Sequence, residues 1–254
     1  LAHAAPTPAT TSALAAAAQA LAGHGEPGGL WRFFGRAAQN PPPDFDDTCC
    51  ALVALHQARL TIETKVLALL ARAAFPSGGY GTWVHPGLND PRRVDAVVNA
   101  NILYYLAVSG QPTGPLARFL VEFALQRQLS KLSAYALSDP PAIYTLMRAF
   151  CHGPAPALAP LAARVPPHLL AHQAGDGSFG HELDTALSLT ALLDAGHRGE
   201  GLEAAGRWLL RRQRPDGGWP ARTFFCDFQP TYYGSEELTT ALCAEALAKL
   251  TAPT

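Results

Sequence analysis

This chain predicts an all-α fold: an α/α toroid, or ring of helical hairpins, of five to six repeats in one domain over residues 1–254. Three observations carry the prediction. The segments "QAGDGSFGHELDTALSLTALLDAG" (173–196) and "QRPDGGWPARTFF…EELTTALCAEALAKL" (213–250) share a glutamine, an Asp-Gly turn, an aromatic residue, an acidic start and a small-residue helix. The acidic starts, Asp46, Asp95, Asp139, Glu182 and Glu236, recur every 43 to 54 residues, a period typical of repeat architectures. The helices also fall into two kinds. Those after the acidic starts are apolar or small on most faces, so they belong inside. Those between them carry the Arg, Lys and Gln, so they face water on one side.

Each repeat then reads as outer helix, Gly/Pro turn, inner helix. In the first, outer segments at 12–22 and 30–38 precede "PPPDFDDTCCALVALHQARL", and residues 1–10 read as extended or disordered. The second has an outer helix at 61–74, the turn "FPSGGYGTWVHPG" (75–87) and the inner helix "AVVNANILYYLAV". In the third, 115–129 leads to "SDPPAIYTLMRAFCHG" (138–153), which keeps the inner helix and loses the glycine turn. The fourth and fifth place outer helices at 158–172 and 202–213. A plain antiparallel bundle would not explain the repeated turn.

Inner helices that all run one way gather their N-termini at one mouth. Asp44, Asp46, Asp47, Asp95, Asp139, His181, Glu182, Asp184 and Glu236 are expected to ring it, with Asn99, Asn101 and Tyr144 about a turn deeper.

Composition narrows the function. Charged residues make up only 15% of the chain and hydrophobic ones 48%, so much of it is buried or faces a greasy cavity. A net charge of −1 offers no field for nucleic acid. Five cysteines, an odd number without a CxxC pair, argue against a disulfide framework and for a reducing cytosol. The first residues have no basic stretch of the signal-peptide kind.

"DFDDT" (44–48) is the sharpest local feature. A helix beginning at Phe45 puts Asp44 at the N-cap and Asp47 at the third position, where carboxylates accept free N–H groups and oppose the helix dipole. Capping accounts for both and leaves Asp46 unexplained. An acid that keeps its proton, a Mg²⁺ site and capping alone stay open at this point. Aromatic residues near the turns and inner helices, among them Phe45, Trp83 and Tyr144, could line a cavity. Asn99 and Asn101 are unusual in so apolar a helix and need hydrogen-bond partners.

"GRWLLRRQRPDGGW" (206–219) resembles the QW motif of squalene–hopene and oxidosqualene cyclases, through Gly206, Leu210, Gln213, Gly217 and Trp219. "DFDDT" resembles the DxDDT motif of class II terpene cyclases, whose middle aspartate protonates an alkene or epoxide. The resemblance implies an isomerase-type cyclase acting on a linear isoprenoid, with Asp46 as general acid, Asp44 and Asp47 beside it, and Phe45, Trp83, Asn99, Asn101 and Tyr144 against the substrate. It implies no cofactor, unless a diphosphate substrate brings Mg²⁺. Class II cyclases of this type usually pair two toroids, so the resemblance also calls for a homodimer or partner domain to close the site, and it leaves room for peripheral membrane contact. The alternative is a toroid that binds an isoprenoid or a protein without chemistry. A carbohydrate hydrolase using Asp46 and Asp184 as its carboxylate pair fits the low polar content poorly.

Overall fold

The computed structural model describes residues 7–35, 40–153, 155–227 and 231–252. In chain order the helices are α1 (Pro8–Gly23), α2 (Phe45–Gln57), α3 (Val66–Ala73), α4 (Ala96–Val108), α5 (Gly114–Gln126), α6 (Pro140–His152), α7 (Ala159–Ala162), α8 (Val165–Leu170), α9 (Glu182–Asp194), α10 (Glu200–Arg212) and α11 (Glu236–Thr251). A two-stranded hairpin, β1 (Phe225–Cys226) and β2 (Tyr232–Tyr233), precedes α11.

The inner layer is α2, α4, α6, α9 and α11, each packed on the next. Outside it, α1 lies on α2, α5 on α4, α8 on α9, and α10 on both α9 and α11. The inner helices begin at the positions that the acidic spacing predicts. Their ends show that they run parallel. Ser138 Oγ at the head of α6 donates to Asp184 Oδ1 in the first turn of α9 (2.8 Å). At the far end, Lys249 Nζ of α11 reaches the Asp194 carboxylate near the end of α9 (2.9 Å). No described helix is long and apolar enough to cross a membrane.

The repeated turn has a repeated physics. Phe75, Ala174 and Arg214 donate their backbone N–H to the carbonyls of Gly79, Ser178 and Gly218. Gly78, Gly177 and Gly217 hold φ at +90°, +93° and +85°, a region that side chains strongly disfavour. The following aromatic residue donates its backbone N–H to a side-chain oxygen on the next inner helix: Tyr80 to Asn99 (2.8 Å), Phe179 to Thr185 (3.0 Å) and Trp219 to Thr240 (3.0 Å). Trp31 does the same to Thr48 in the first repeat (3.0 Å). Gln213 Nε2 closes its turn on the Gly217 carbonyl, as Gln173 Nε2 does on that of Gly177. Trp219 is 1% exposed and donates from its indole to the Leu209 carbonyl. The residues of the QW-like stretch thus tie outer helix, turn and inner helix together.

Several outer boundaries differ from expectation. Helix α1 starts at Pro8 rather than 12, because Thr7 and Thr10 form a capping box; residues 1–6 lie outside the described residues. Among described residues the segment expected to be helical over 30–38 is turn and extended chain: Leu30 bridges back to Glu26, and Gly28, Gly29 and Gly35 take positive φ. Residues 61–65 lie outside any helix, in keeping with their β-branched Thr61, Ile62 and Thr64, and α3 begins only at Val66. The 158–172 helix is broken in two. Pro166 and Pro167 have no N–H to continue a helix, so α8 restarts with them in its first turn. Helix α5 stops at Gln126, and Gln128 and Leu129 turn left-handed at φ 53° and 62°.

The ring closes differently from how it propagates. Among the described residues no helix-on-helix contact comparable to the others joins α11 to α2. Aromatic rings meet there instead. Phe33, just before α2, has its ring 5.1 Å from those of both Phe225 and Tyr233, which stack on each other at 4.9 Å.

Candidate active site

At the mouth, "DFDDT" divides its duties. Asp44 is the N-cap of α2 and accepts the Asp47 N–H at 2.7 Å. Its backbone is pinned by Trp31 on one side and bridges Trp83 on the other. Burial first, then the charges of Asp47 and Asp46, push the Asp44 carboxyl well above the usual range. Burial also raises Asp47, which a hydrogen bond from Asp44 holds back.

Asp46 is the member without a capping bond, and it is half-buried. Asn101 Nδ2 of α4 donates to Asp46 Oδ1 at 2.7 Å. Arg148 Nη2 of α6 donates in turn to Asn101 Oδ1 at 2.6 Å. Burial is the main influence on Asp46. The Asn101 bond and the Arg148 charge oppose it, the charges of Asp47 and Asp95 add to it, and the carboxyl is raised to about 7.

From Asp46 a chain of polar contacts links α4, α6, α11 and α9. Arg148 lies between the rings of Tyr104 and Tyr144, 5.6 and 5.7 Å from their centroids. Tyr144, 5% exposed, donates to Glu245 of α11 at 3.0 Å. Glu245 pairs with Lys249 at 3.2 Å, and Lys249 bonds both oxygens of Asp194 and contacts His152 Nε2 at 3.0 Å. Burial pushes Asp194 up, but the hydrogen bonds of His152 and Lys249 outweigh it and hold the carboxyl below its usual range. Cys151, His152 and Asp194 come close enough to share a metal ion, and the Lys249 ammonium sits among them. These contacts end at a groove of about 740 Å³ lined by His56, Gln57, Tyr104 and His152.

The other predicted site residues separate. Asn99 is fully buried. Its oxygen accepts the Tyr80 N–H, and its nitrogen donates to the carbonyls of Tyr80 and Asp95. Its amide is therefore spent on the turn and not on a substrate. Phe45 is 0% exposed and packs edge-on to Tyr80, so it belongs to the core rather than to a cavity wall. Trp83 stays at the mouth, half-buried, its backbone clamped by Asn89. Asp95 caps α4 and holds Ser133 and Ala134 of the next loop. His181 caps α9, His85 is exposed, and Arg92 and Arg222 are paired with Asp90 and Glu182. Sequence reasoning missed Arg148, Glu245, Lys249 and Asp194. A signal for Arg148 was there: it is the single charged residue inside the apolar "PPAIYTLMRAFC" helix.

The chain matches no protein-family model. A drimenyl diphosphate synthase from Streptomyces showdoensis is 27% identical over 264 residues, covering 96% of this chain and 48% of that protein. The chain thus spans about half the length of that curated relative. Solved structures agree over more of their length. A protein from Actinoplanes superposes with a TM-score of 0.71 at 19% identity, covering 98% of this chain and 86% of its own. The type II terpene cyclase MstE from Scytonema gives 0.71 at 19% identity, covering 98% and 84%. A variant of it in complex with geranylgeranyl dihydroxybenzoate, its substrate, gives 0.75 at 18% identity, again covering 98% and 84%. The likeness runs over nearly the whole of this chain: it has the α/α-toroid fold of the type II terpene cyclases.

Proposed function

We propose that this chain is a terpene cyclase that protonates a linear isoprenoid from Asp46 and closes rings from the resulting cation. One observation carries the reading. Asp46 is the DFDDT carboxyl that capping does not use, and it stands half-buried at the head of α2 with Asn101 on one oxygen. Asn101 occupies Oδ1 as a donor, so the proton rides on Oδ2. In the reaction the Oδ2–H bond breaks as a C–H bond forms at a C=C carbon. The cation left on the neighbouring carbon is attacked by further double bonds, and loss of a proton ends the sequence, giving a net isomerisation. The carboxylate formed meanwhile is stabilised by the Asn101 N–H. Phe224, half-buried against the cluster of Tyr144, Leu183 and Leu187, is a candidate π face for the cation.

MstE, 84% of whose chain is matched, is described with an isoprenoid substrate, which supports an isoprenoid as this chain's substrate class. The relatives point to two head groups, a diphosphate and a dihydroxybenzoate. A diphosphate would bring its Mg²⁺ with it; the proton is the only electrophile the reading uses.

The test is product analysis by mass spectrometry after incubation with linear prenyl diphosphates plus Mg²⁺ and with geranylgeranyl dihydroxybenzoate. Cyclised isomers are expected from one set, and Asp46→Asn should lower their formation by at least about 100-fold, the usual span of a general acid. Binding without product from either set would leave the non-catalytic toroid instead.

A further inference from the structure

The structure assigns Arg148 a positioning role: it locks the Asn101 amide with its nitrogen toward Asp46. The inference takes its catalytic meaning from the function proposed above. The geometry is a chain of two short bonds, Arg148 Nη2 to Asn101 Oδ1 (2.6 Å) and Asn101 Nδ2 to Asp46 Oδ1 (2.7 Å). An amide between two partners can sit either way round. Facing a protonated acid, its oxygen could equally accept the acid's O–H, and that arrangement would favour the proton staying. A guanidinium has donors and no acceptor, so Arg148 takes the oxygen and leaves only the nitrogen for Asp46. Asn101 then stabilises the carboxylate that proton transfer creates.

Arg148 is set up for this and little else. Among the described residues it forms no ion pair, although it is a half-buried cation, and its buried Nε has no partner. Its other neighbours are Cys50 Sγ at 3.8 Å and the Tyr104 and Tyr144 rings. The groups facing Asp46 are Asp44, Asp47 and Cys50 on α2, Asp95 and Asn101 at and in α4, and Arg148 of α6; beyond Tyr144 come Glu245 and Lys249 of α11 and Asp194 of α9.

The test is a double-mutant cycle read on Asp46 itself. The full chain carries ¹³C-labelled aspartate carboxyls, and the Asp46 signal is the one missing from Asp46→Asn. In the native background Arg148→Met should raise the Asp46 titration midpoint by about one pH unit, from loss of both the locked donor and the charge. In an Asn101→Leu background the same substitution should move it by less than half as much. Arg148→Lys, still a donor-only cation, should keep the midpoint within a few tenths and retain more turnover than Arg148→Met. Should Arg148→Met fail to fold, Arg148→Gln takes its place; an amide there can accept as well as donate, so the lock is lost and the midpoint again rises. Equal shifts in both backgrounds would mean that Arg148 acts through its field alone, and the positioning role would fall. The titration needs no turnover: a shift that follows the cycle in a chain yielding no cyclised product would overturn the proposed function and leave this inference standing.

Discussion

Replacing Asp46 by Asn should make the protein more stable, and increasingly so as the pH rises. Asn keeps an oxygen for the Asn101 N–H and removes the ionisable group. In the native protein the Asp46 carboxyl is raised from 3.8 to about 7, chiefly by burial. A carboxyl whose folded pKa lies above its unfolded value favours the fold fully below pH ~3.8 and loses that advantage as pH rises through about 7. Each pH step between the two values costs about 1.4 kcal/mol. Relative to the Asn variant, the native chain is therefore disfavoured by roughly 1.7 kcal/mol at pH 5 and roughly 4 kcal/mol at pH 9. The change between them, about 2–3 kcal/mol, corresponds to roughly 5–10 °C in Tm for a chain of this size. Urea unfolding followed by circular dichroism at both pH values, on both proteins, measures it directly. Asp44, Asp47 and Asp95 titrate in both chains, so their contributions largely cancel in the difference. A gap between the two proteins that stays constant within about 0.5 kcal/mol, or that shrinks with pH, would show that Asp46 ionises in the ordinary range. The acid reading would fall with it.

Other outcomes follow from the same geometry. Trp219→Ala empties a site 1% exposed and breaks the indole bond to Leu209; a loss of about 3–5 kcal/mol is expected in denaturant unfolding. Lys249→Met leaves the buried Asp194 carboxylate without its ammonium and should cost about 3–5 kcal/mol, most of it regained in the Asp194→Asn, Lys249→Met double variant. Asn99→Thr should cost no more than about 1 kcal/mol, because threonine pins the same turn at Thr48, Thr185 and Thr240; Asn99→Val, with no acceptor for the Tyr80 N–H, should cost about 1–3 kcal/mol.

The inner layer was legible because its signals are local. An acidic or polar cap, a small-residue run and a glycine turn each act within a few residues, and their recurrence fixes both helix type and direction. The outer layer was less so, since proline pairs and positive-φ residues such as Gln128 and Leu129 cut helices that periodicity alone would extend. Within the site, the split of Asp44 and Asp47 from Asp46 followed from helix-end chemistry. The split between Asn99 and Asn101 did not. Two residues apart on one helix, they point to different neighbours, one to the turn before α4 and one across to α2, and only the arrangement of repeats decides which. Arg148 and the Glu245–Lys249–Asp194 contacts involve pairs far apart in the chain, which no window of sequence brings together.

The aromatic closure has a consequence for how the barrel behaves as a mechanical object. Its other joints are helix on helix, but the joint between first and last repeats is made of rings contributed from about 190 residues apart. Contacts that distant form late, after the helical hairpins have assembled as an open arc. The same line is then the seam of the finished wall, where Phe33 and Phe34 stay 40% and 53% exposed. Opening there unstacks rings and leaves the helical joints intact. Backbone amides along 31–35, 224–227 and 231–233 should exchange with solvent sooner than those of α4 or α9, marking the seam as the edge along which the barrel breathes.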